Sequence, residues 1–426
     1  MTSLNHCIKF QLNITDPNLL FSNYYEKLCH HKQTKVYVAE LVQPACPVCH
    51  SSTLKHNGHY VAKVRYLTSN ASQPVLLELH KQRVICCSCG KRSMAQTDLV
   101  GKSCRISNAS KLKVLTALTT DRSMTSIAQE NNVSTNTVQR VLDSLDTPFR
   151  AQATTLPEHL AFDEVRGVGH KLHFICLDGD NHRIITILSD RFKKSIVKYF
   201  EQFPITIRKK VKTVSLDLNA YYQAIAGQLF PKAAVVIDRF HLVQMLNRSF
   251  NQLRVQVMKN FNPGTYPYRL LKYCWKLYLK PYSKLEKKQP YYNQHLKDYL
   301  TQEHIVLDGL DLNPALKHSY QVLQNFTAAL RKQNAHAMKK IINTTQTVGE
   351  KMRGTLTTFK HNQTSVLNAG KYQCSNGCLE GINRKIKQIE RTAYGYGNFD
   401  HLIARIKLEE KDAVSVYKEK SLSCAA

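Results

Sequence analysis

Leu160-Ala161-Phe162-Asp163-Glu164-Val165 is a short apolar stretch of the kind that forms a buried β-strand. Four similar stretches follow along the chain: Lys171–Asp178, His182–Leu188, Val211–Asp217 and Ala233–Asp238. Helical patterns lie between the later stretches, at residues 193–203 and 219–229, and a long helix is expected from Phe240 to about Lys259. The predicted order is therefore strand, strand, strand, helix, strand, helix, strand, helix.

This order predicts a mixed α/β sheet in which three antiparallel strands are extended by two parallel ones. It is the order of the ribonuclease H-like arrangement, in which the first and fourth strands lie side by side at the centre of the sheet. Asp163 on the first strand and Asp217 at the end of the fourth are therefore expected to be neighbours, although they are far apart in the chain.

A third carboxylate occurs in the stretch Cys374–Arg391, which reads CSNGCLEGINRKIKQIER. Ser375 or Asn376 is expected to cap a helix whose core-facing residues recur at helical spacing: Ile382, Ile386 and Ile389. Glu380 begins a second stripe on this helix, which continues with three cations: Arg384, Lys387 and Arg391. The stripe is either a solvated face with an i,i+4 Glu–Arg pair or a surface that contacts DNA.

A helix packed across the sheet would bring Glu380 to the two aspartates. Three converging carboxylates repel one another unless cations neutralise them, and carboxylate oxygens are the ligands that Mg²⁺, or Mn²⁺ in its place, prefers. The hypothesis is a two-metal site, with ions about 4 Å apart, that supports cleavage of a phosphodiester. Four other acidic residues compete for these roles: Glu164, Asp178, Asp180 and Asp238. Asp217 is preferred to Asp178 because the fourth strand ends beside Asp163.

The charge of the chain points to a polyanionic partner. Sixty Lys and Arg against 31 Asp and Glu give a net charge of +29, while 43% hydrophobic residues indicate globular domains. Nucleic acid is the expected partner, and an anionic membrane surface is the alternative. Because no apolar run approaches the roughly 18 residues that span a bilayer, and no signal peptide is recognisable, the protein is expected in the cytoplasm.

Cysteines cluster near the N-terminus in two Cys-x2-Cys pairs, Cys46/Cys49 and Cys86/Cys89. Four thiolates from two tight turns match a closed, structural Zn²⁺ site, although the pairs are more widely separated than is usual. Cys87 is an alternative ligand, and three histidines are possible competitors: His50, His56 and His59. Four unligated thiols remain the other interpretation.

Residues 107–147 have the pattern of a helix-turn-helix. Leu112, Leu115 and Leu118 lie on one side of a first helix, and Val133 marks the turn before a last helix capped by Ser134. The outward residues of that last helix can hydrogen-bond base edges or phosphates: Thr135, Asn136, Gln139 and Arg140. A plain three-helix bundle is the alternative.

These features predict a multidomain chain. The expected segments are an N-terminal segment of unknown role at 1–43, a zinc-ribbon-like module at 44–103, a helix-turn-helix at 104–150, the first part of the catalytic domain at 155–259, a helical insertion without a strand pattern at 260–370, and the second part of the catalytic domain, with the acidic helix, at 371–415.

From about residue 44 to 410 the sequence resembles bacterial insertion-sequence transposases of the DDE class, specifically the ISL-three family. The cysteine pairs and the helix-turn-helix carry this resemblance together with several short motifs: Phe162-Asp163-Glu164, Ser215-Leu216-Asp217-Leu218 followed by Tyr221, Asp238-Arg239-Phe240-His241, Ser375-Asn376-Gly377, Glu380-Gly381-Ile382-Asn383 and Ala393-Tyr394-Gly395-Tyr396-Gly397-Asn398-Phe399. The wide spacing of the cysteine pairs also fits this family.

The resemblance implies that Asp163, Asp217 and Glu380 are the metal-binding triad and that the inserted helices belong to the catalytic domain. Asp238 and His241 resemble an Asp-x-x-His signature of related transposases. His241 either orients groups around the triad or is a packed histidine at the start of a helix.

The expected function is therefore that of a DNA transposase. The zinc module and the helix-turn-helix would bind terminal inverted repeats in double-stranded DNA, and the triad would cut and rejoin strands in a nucleoid-associated, at least dimeric, assembly. Water attacks first in this mechanism, and the freed 3′-hydroxyl then attacks target DNA. The alternatives are a non-catalytic zinc and helix-turn-helix regulator, and a ribonuclease H-like nuclease that acts on branched DNA.

Overall fold

The computed structural model describes residues 2–29, 31–67, 73–144, 155–345, 347–372 and 377–409. The chain divides into two compact units. The first comprises Met1–Pro148, Gly167–Gly169 and Ile386–Ala426, and the second comprises Phe149–Arg166 and His170–Lys385. The predicted capping residues Ser375 and Asn376 lie outside the described residues. No helix in the described part of the chain is both long and apolar enough to cross a bilayer.

The first unit begins with one helix and a five-stranded sheet: α1 (Thr2–Leu12), β1 (Leu19–Cys29), β2 (Lys32–Leu41), β3 (Leu54–Tyr66), β4 (Val75–Cys86) and β5 (Arg92–Met94). The strand order is β1-β2-β4-β3, with β5 on β4, and only the β2–β4 pairing is parallel. Segment 1–43, to which the sequence assigned no role, thus supplies two strands of the cysteine-bearing sheet.

Three helices follow: α2 (Asn108–Leu118), α3 (Met124–Glu130) and α4 (Thr135–Asp143). Each begins after a serine whose side chain accepts the N–H three residues further on, namely Ser107, Ser123 and Ser134. Such a cap contributes about 1 kcal/mol to a helix. The inner faces share one core that includes Leu115, Ile127 and Val138, as the helix-turn-helix prediction required.

The second unit contains a sheet of five strands: β6 (His159–Arg166), β7 (Leu172–Asp178), β8 (Ile184–Ile187), β9 (Thr213–Leu216) and β10 (Ala234–Ile237). Its order is β10-β9-β6-β7-β8. Strands β6, β7 and β8 are antiparallel neighbours, whereas β9 runs parallel to both β6 and β10. The first and fourth strands of this sheet are therefore adjacent, as expected.

Four helices connect or follow these strands: α5 (Lys193–Phe200), α6 (Ile205–Arg208), α7 (Ala220–Leu229) and α8 (Arg239–Met258). Aromatic rings fill the space between sheet and helices. Phe162 of β6 packs edge-on against Phe174 at 4.9 Å and stacks on Phe200 at 5.6 Å between centroids. These side chains are almost completely buried, so the strand that carries Asp163 is anchored by its apolar neighbours.

The predicted insertion contains seven helices and a small hairpin: α9 (Tyr266–Tyr273), α10 (Trp275–Leu279), β11 (Tyr291–Asn293), β12 (Asp298–Leu300), α11 (Gln302–Asp311), α12 (Pro314–Arg331), α13 (Ala335–Ile342), α14 (Glu350–His361) and α15 (Gln363–Asn368). The hairpin corrects the expectation that this segment lacks strands. Its strands are three residues each, too short for a periodic pattern. The inserted helices pack on α8, where Phe250 and Phe326 belong to the same hydrophobic core as the sheet.

Two helices complete the described chain: α16 (Gly377–Thr392) and α17 (Phe399–Glu409). Although 371–415 was assigned to the catalytic domain, α17 packs on the helix-turn-helix core through Leu408. Arg405, 2% exposed, donates to the carbonyl oxygens of Thr120 and Arg122 at 2.6 and 2.8 Å. An apolar helix face gives no sequence signal of the core that it joins, so only the tertiary contacts reveal this packing.

Candidate functional site

Asp163 lies on β6, and Asp217 directly follows β9, the parallel neighbour of β6. The β6–β9 register pairs Leu160 with Val214 and Ala161 with Ser215. Continued by two residues beyond the paired positions, this register brings Asp163 beside Asp217, in agreement with the effect of the Asp217 charge on the pKa of Asp163. Adjacent strands are about 4.8 Å apart, so the fold brings the two predicted carboxylates to one edge of the sheet.

Both carboxylates are in a poorly solvated environment. Burial raises the pKa of Asp163, and the charge of Asp217 adds to this effect, whereas a hydrogen bond from the N–H of Glu164 and the charge of His241 oppose it. Burial likewise raises the pKa of Asp217. An anionic pair in such surroundings is stabilised by any cation placed between its members.

The Asp-x-x-His signature lies beside this pair. Asp238 follows β10, its N–H donates to the carbonyl oxygen of Leu216 at 2.8 Å, and it is 3% exposed. Nδ1 of His241 lies 3.0 Å from Oδ2 of Asp238. That hydrogen bond raises the pKa of His241, against the effect of burial, and the charges of Asp217 and Asp163 raise it further. His241 is therefore oriented by Asp238 within electrostatic range of both aspartates.

Glu380 lies in the first turn of α16, and its partner is a cation of the same helix. Oε1 of Glu380 is 2.5 Å from Nη2 of Arg384, and both side chains are more than half exposed. Among the described residues, one group of three or more potential metal ligands has all its ligand atoms within 4.8 Å of one another, and it is the cysteine quartet. The carboxylates of Glu380, Asp163 and Asp217 are therefore not all within 4.8 Å of one another in this conformation.

The same helix nevertheless reaches the aspartates one turn later. Nδ2 of Asn383 donates to Oδ2 of Asp163 at 2.9 Å. Residues three positions apart share one face of a helix, so Glu380 lies on the face that meets Asp163. Asn383 is part of the motif Glu380-Gly381-Ile382-Asn383, but no role was predicted for it. Its position three residues after Glu380 indicates that the two side chains share a helix face.

Two of the four competing acidic residues, Glu164 and Asp178, have other partners. Glu164 accepts hydrogen bonds from Arg191 at 2.9 Å and from the hydroxyl of Tyr222 at 2.8 Å. Asp178 pairs with Leu160 at the opposite end of β6 and accepts the N–H of Asp180 in a turn. The preference for Asp217 over Asp178 therefore agrees with the geometry.

The four predicted zinc ligands come together in the first unit. Sγ of Cys46 lies 3.6 Å from Sγ of Cys89, and Sγ of Cys49 lies 3.5 Å from Sγ of Cys86. A tetrahedron with Zn–S bonds of 2.3 Å has S–S edges of about 3.8 Å. The cluster is therefore compatible with a zinc module. Cys87 is exposed and not part of it.

The two cysteine turns repeat one backbone geometry. The N–H of His50 donates to the carbonyl of Cys46, and the N–H of Gly90 donates to the carbonyl of Cys86. His50 and Gly90 both have positive φ, 58° and 69°. A hydrogen bond from the N–H of Cys89 lowers the pKa of Cys86 to about 6, which favours the thiolate that binds metals.

The other proposed histidine ligands lie outside this cluster. His56 and His59 face each other at 4.6 Å between ring centroids, and Nε2 of His59 lies 3.0 Å from Glu40.

The candidate DNA-binding residues are accessible. Thr135, Asn136 and Arg140 are exposed on α4, while Gln139 is half-buried and donates to Asp143 at 2.7 Å. On α16, the three cations Arg384, Lys387 and Arg391 are exposed, and Ile386 and Ile389 are buried. The helix is therefore amphipathic as predicted.

Comparisons with known proteins agree with this organisation. Residues 160–406 match a DDE transposase family model of the ISL3 group, described as a transposase. Residues 95–145 match the helix-turn-helix domain of transposase family ISL3.

Two curated relatives are similar to this chain. The chain is 23% identical over 379 residues to the transposase for insertion sequence element IS1001 of Bordetella parapertussis, covering 88% of both chains. It is also 26% identical over 175 residues to an ATP-dependent protease of Lactococcus lactis subsp. lactis, covering 41% of this chain and 52% of that relative. From the family matches and the insertion-sequence relative, this chain is an insertion-sequence DNA transposase with a helix-turn-helix DNA-binding domain and belongs to the ISL3 (ISL-three) family.

Proposed function

We propose that this transposase cuts and rejoins DNA at a divalent-metal site formed by Asp163, Asp217 and Glu380. The observation that carries the proposal is the register of β6 and β9, from which two half-buried aspartates lie next to each other at one edge of the sheet. The strand order β10-β9-β6-β7-β8, with parallel β6, β9 and β10, supports a ribonuclease H-like catalytic domain.

The donor set fits Mg²⁺ or Mn²⁺. Carboxylate oxygens suit hard cations, and the raised pKa values of Asp163 and Asp217 express the unfavourable burial of charge that a cation relieves. When bound, such ions activate an attacking oxygen and stabilise a leaving oxygen. Asp163 and Asp217 would hold the ions, and Asn383 would orient Asp163. Asp238 would orient His241, whose imidazole lies within electrostatic range of both aspartates.

Glu380 would complete the site by leaving Arg384. The exposed ion pair of these residues contributes about 0–1 kcal/mol, so its loss is a small cost compared with a carboxylate–metal bond. Because Glu380 shares a helix face with Asn383, a change of side-chain conformation rather than of fold carries it toward Asp163. Hydrolysis of a phosphodiester then leaves a 3′-hydroxyl, which attacks target DNA.

The remaining parts of the chain recognise DNA and assemble the complex. Cys46, Cys49, Cys86 and Cys89 would hold a structural Zn²⁺ ion. The exposed residues of α4 would read terminal inverted repeats, and the cations of α16 would contact phosphates. Pairing two element ends requires at least two copies of the chain, working on DNA in the bacterial cytoplasm.

The test compares catalysis with binding in the same variants. Asp217→Asn and Glu380→Gln are expected to lose metal-dependent cleavage of element-end DNA by 10²-fold or more while binding that DNA normally. Asp178→Asn, in the turn at the far end of β6, serves as the matched control and retains activity. Intact cleavage in either of the first two variants would overturn the site assignment.

A further inference from the structure

The first unit contains a wide cleft that the proposed catalytic and helix-turn-helix sites do not use. Its volume is about 1330 Å³, and it lies between β3, β4 and the segment from β5 to the start of α2. Six cations line it and are exposed: Lys63, Arg65, Arg83, Arg92, Lys102 and Arg105. Asp98 is the acidic residue of the lining. The concave surface is thus strongly positive.

These cations have no acidic partner among the residues that the structure describes. None of the six has an ion pair within 4.0 Å in the described part of the chain, where the carboxylates of the sheet pair with histidines instead. Arg65 donates to the carbonyl oxygen of Asn132 at 2.5 Å, which leaves its charge uncompensated. A concave surface lined by several cations attracts an anion with several negative charges along its length.

Lys81 is a further cation of this cleft, and it differs from the other six in being buried. It lines the same cleft, is only 8% exposed, and has neither an ion pair nor a side-chain hydrogen bond among the described residues. Burial lowers the pKa of its ammonium group. The hydroxyl oxygen of Ser93, another lining residue, is buried without a hydrogen-bond partner among the described residues. A partly desolvated cation and a buried hydroxyl without partners cost stability unless a ligand engages them.

The cleft is connected to the helix-turn-helix within this unit. Asn132, at the turn between α3 and α4, accepts hydrogen bonds from Nζ of Lys32 at 2.6 Å and, through its carbonyl, from Arg65. Lys32 begins β2, and Arg65 belongs to both β3 and the cleft. The recognition helix and the cleft are therefore joined through one residue.

We propose that this cleft binds the phosphate backbone of the same DNA duplex that α4 reads, with Lys81 engaging a phosphate at its base. The inference rests on the proposed function, because it concerns the same DNA. Phosphate oxygens satisfy both features of the cleft: they neutralise exposed cations and accept hydrogen bonds from Lys81 and Ser93. The cleft would extend the footprint beyond the bases under α4 and add affinity without adding sequence preference.

The test uses the full-length protein and fluorescence anisotropy with element-end duplex and scrambled duplex over a range of salt concentrations. Lys81→Met removes the charge at nearly constant length, and Arg83→Gln removes one exposed cation. Lys55→Gln is the matched control, since Lys55 is exposed on β3 but does not line the cleft.

For Lys81→Met we expect about tenfold weaker binding to both duplexes and a salt slope reduced by about one. We also expect a thermal midpoint equal to or above that of the wild type, because an unpartnered buried charge has been removed. Arg83→Gln should give a smaller loss of the same kind, and Lys55→Gln none.

Unchanged affinity and salt slope in both cleft variants would overturn the proposal, as would a Lys81→Met protein that is destabilised but binds normally. Tight binding of short acidic peptides in the cleft, with DNA unaffected by the variants, would also overturn it. Failure of the proposed function is a separate result, namely that the wild type does not prefer element-end duplex to scrambled duplex.

Discussion

Nδ2 of Asn383 donates to Oδ2 of Asp163 at 2.9 Å, a contact between residues 220 positions apart in the chain. It fixes the first turns of α16 against the strand that carries Asp163. Since Glu380 precedes Asn383 by one helical turn, the contact defines where the third carboxylate of the proposed triad approaches the other two. The buried Oδ1 of Asn383 has no hydrogen-bond partner in the described part of the chain, which leaves an acceptor beside the site.

Replacing Asn383 should therefore affect catalysis more than DNA binding. For Asn383→Ala we expect cleavage of element-end DNA to fall about tenfold, because a hydrogen bond to a carboxylate, which contributes about 1.5 kcal/mol, orients Asp163. Rates at saturating DNA, with binding measured separately, provide the readout. Gln388→Ala is the control on the same helix, because Gln388 bonds Asp121 instead. Equal cleavage rates in Asn383→Ala and Gln388→Ala would show that Asn383 does not orient Asp163 for catalysis.

The zinc assignment predicts one bound zinc ion per chain, measured by elemental analysis of the purified protein. Cys46→Ser or Cys89→Ser should lose the metal and lower the thermal midpoint, because structural zinc contributes to folding directly. Cys87→Ser should do neither, since this exposed thiol lies outside the cluster. A zinc-free protein whose stability is unchanged by Cys46→Ser would contradict the assignment.

Substitutions on α4, the helix proposed to read base edges, should reduce the preference for element-end DNA. Asn136→Ala and Arg140→Ala should each cost about 1–3 kcal/mol of discrimination if they contact base edges. Competition between element-end and scrambled duplexes at fixed salt measures this difference. Gln129→Ala, on the exposed surface of α3, should leave it unchanged. If discrimination persists in both α4 variants, another element reads the sequence.

The Asp238–His241 pair predicts a dependence of stability on pH. Because the folded-state pKa of His241 is raised, its stabilising contribution is fully present below the unfolded value of about 6.5. It is lost as pH rises through the raised folded-state pKa. Titration of the imidazole by NMR, without added divalent metal, should show a lower pKa in Asp238→Asn and no change in Asp180→Asn. The destabilisation of Asp238→Asn should also shrink with rising pH.

The sequence predicted the parts of the fold that local patterns encode. The five strands around Asp163 were recognisable because each is a short apolar run and helical patterns separate the later ones, and Ser134 marked the start of the last helix of the helix-turn-helix. Their order alone placed Asp163 beside Asp217.

Other features depend on tertiary contacts. Strand β1 exposes most of its residues, so it lacks an apolar run, and its pairing with β2 is what stabilises it. The docking of α17 depends on Arg405 reaching two carbonyl groups of the helix-turn-helix. Similarly, no pattern showed that Glu380 would pair with Arg384 while Asn383 reached Asp163, because an i,i+4 pair and a metal ligand look alike in sequence.

The proposed triad requires Asp163, Asp217 and Glu380 to bind the same metal centre. Anomalous scattering from crystals of the protein with element-end DNA and Mn²⁺ locates the metal. We expect Mn²⁺ within about 2.2 Å of oxygens from all three carboxylates, with Glu380 released from Arg384. Mn²⁺ bound by Asp163 and Asp217 while Glu380 remains paired with Arg384, or bound away from these residues, would contradict it.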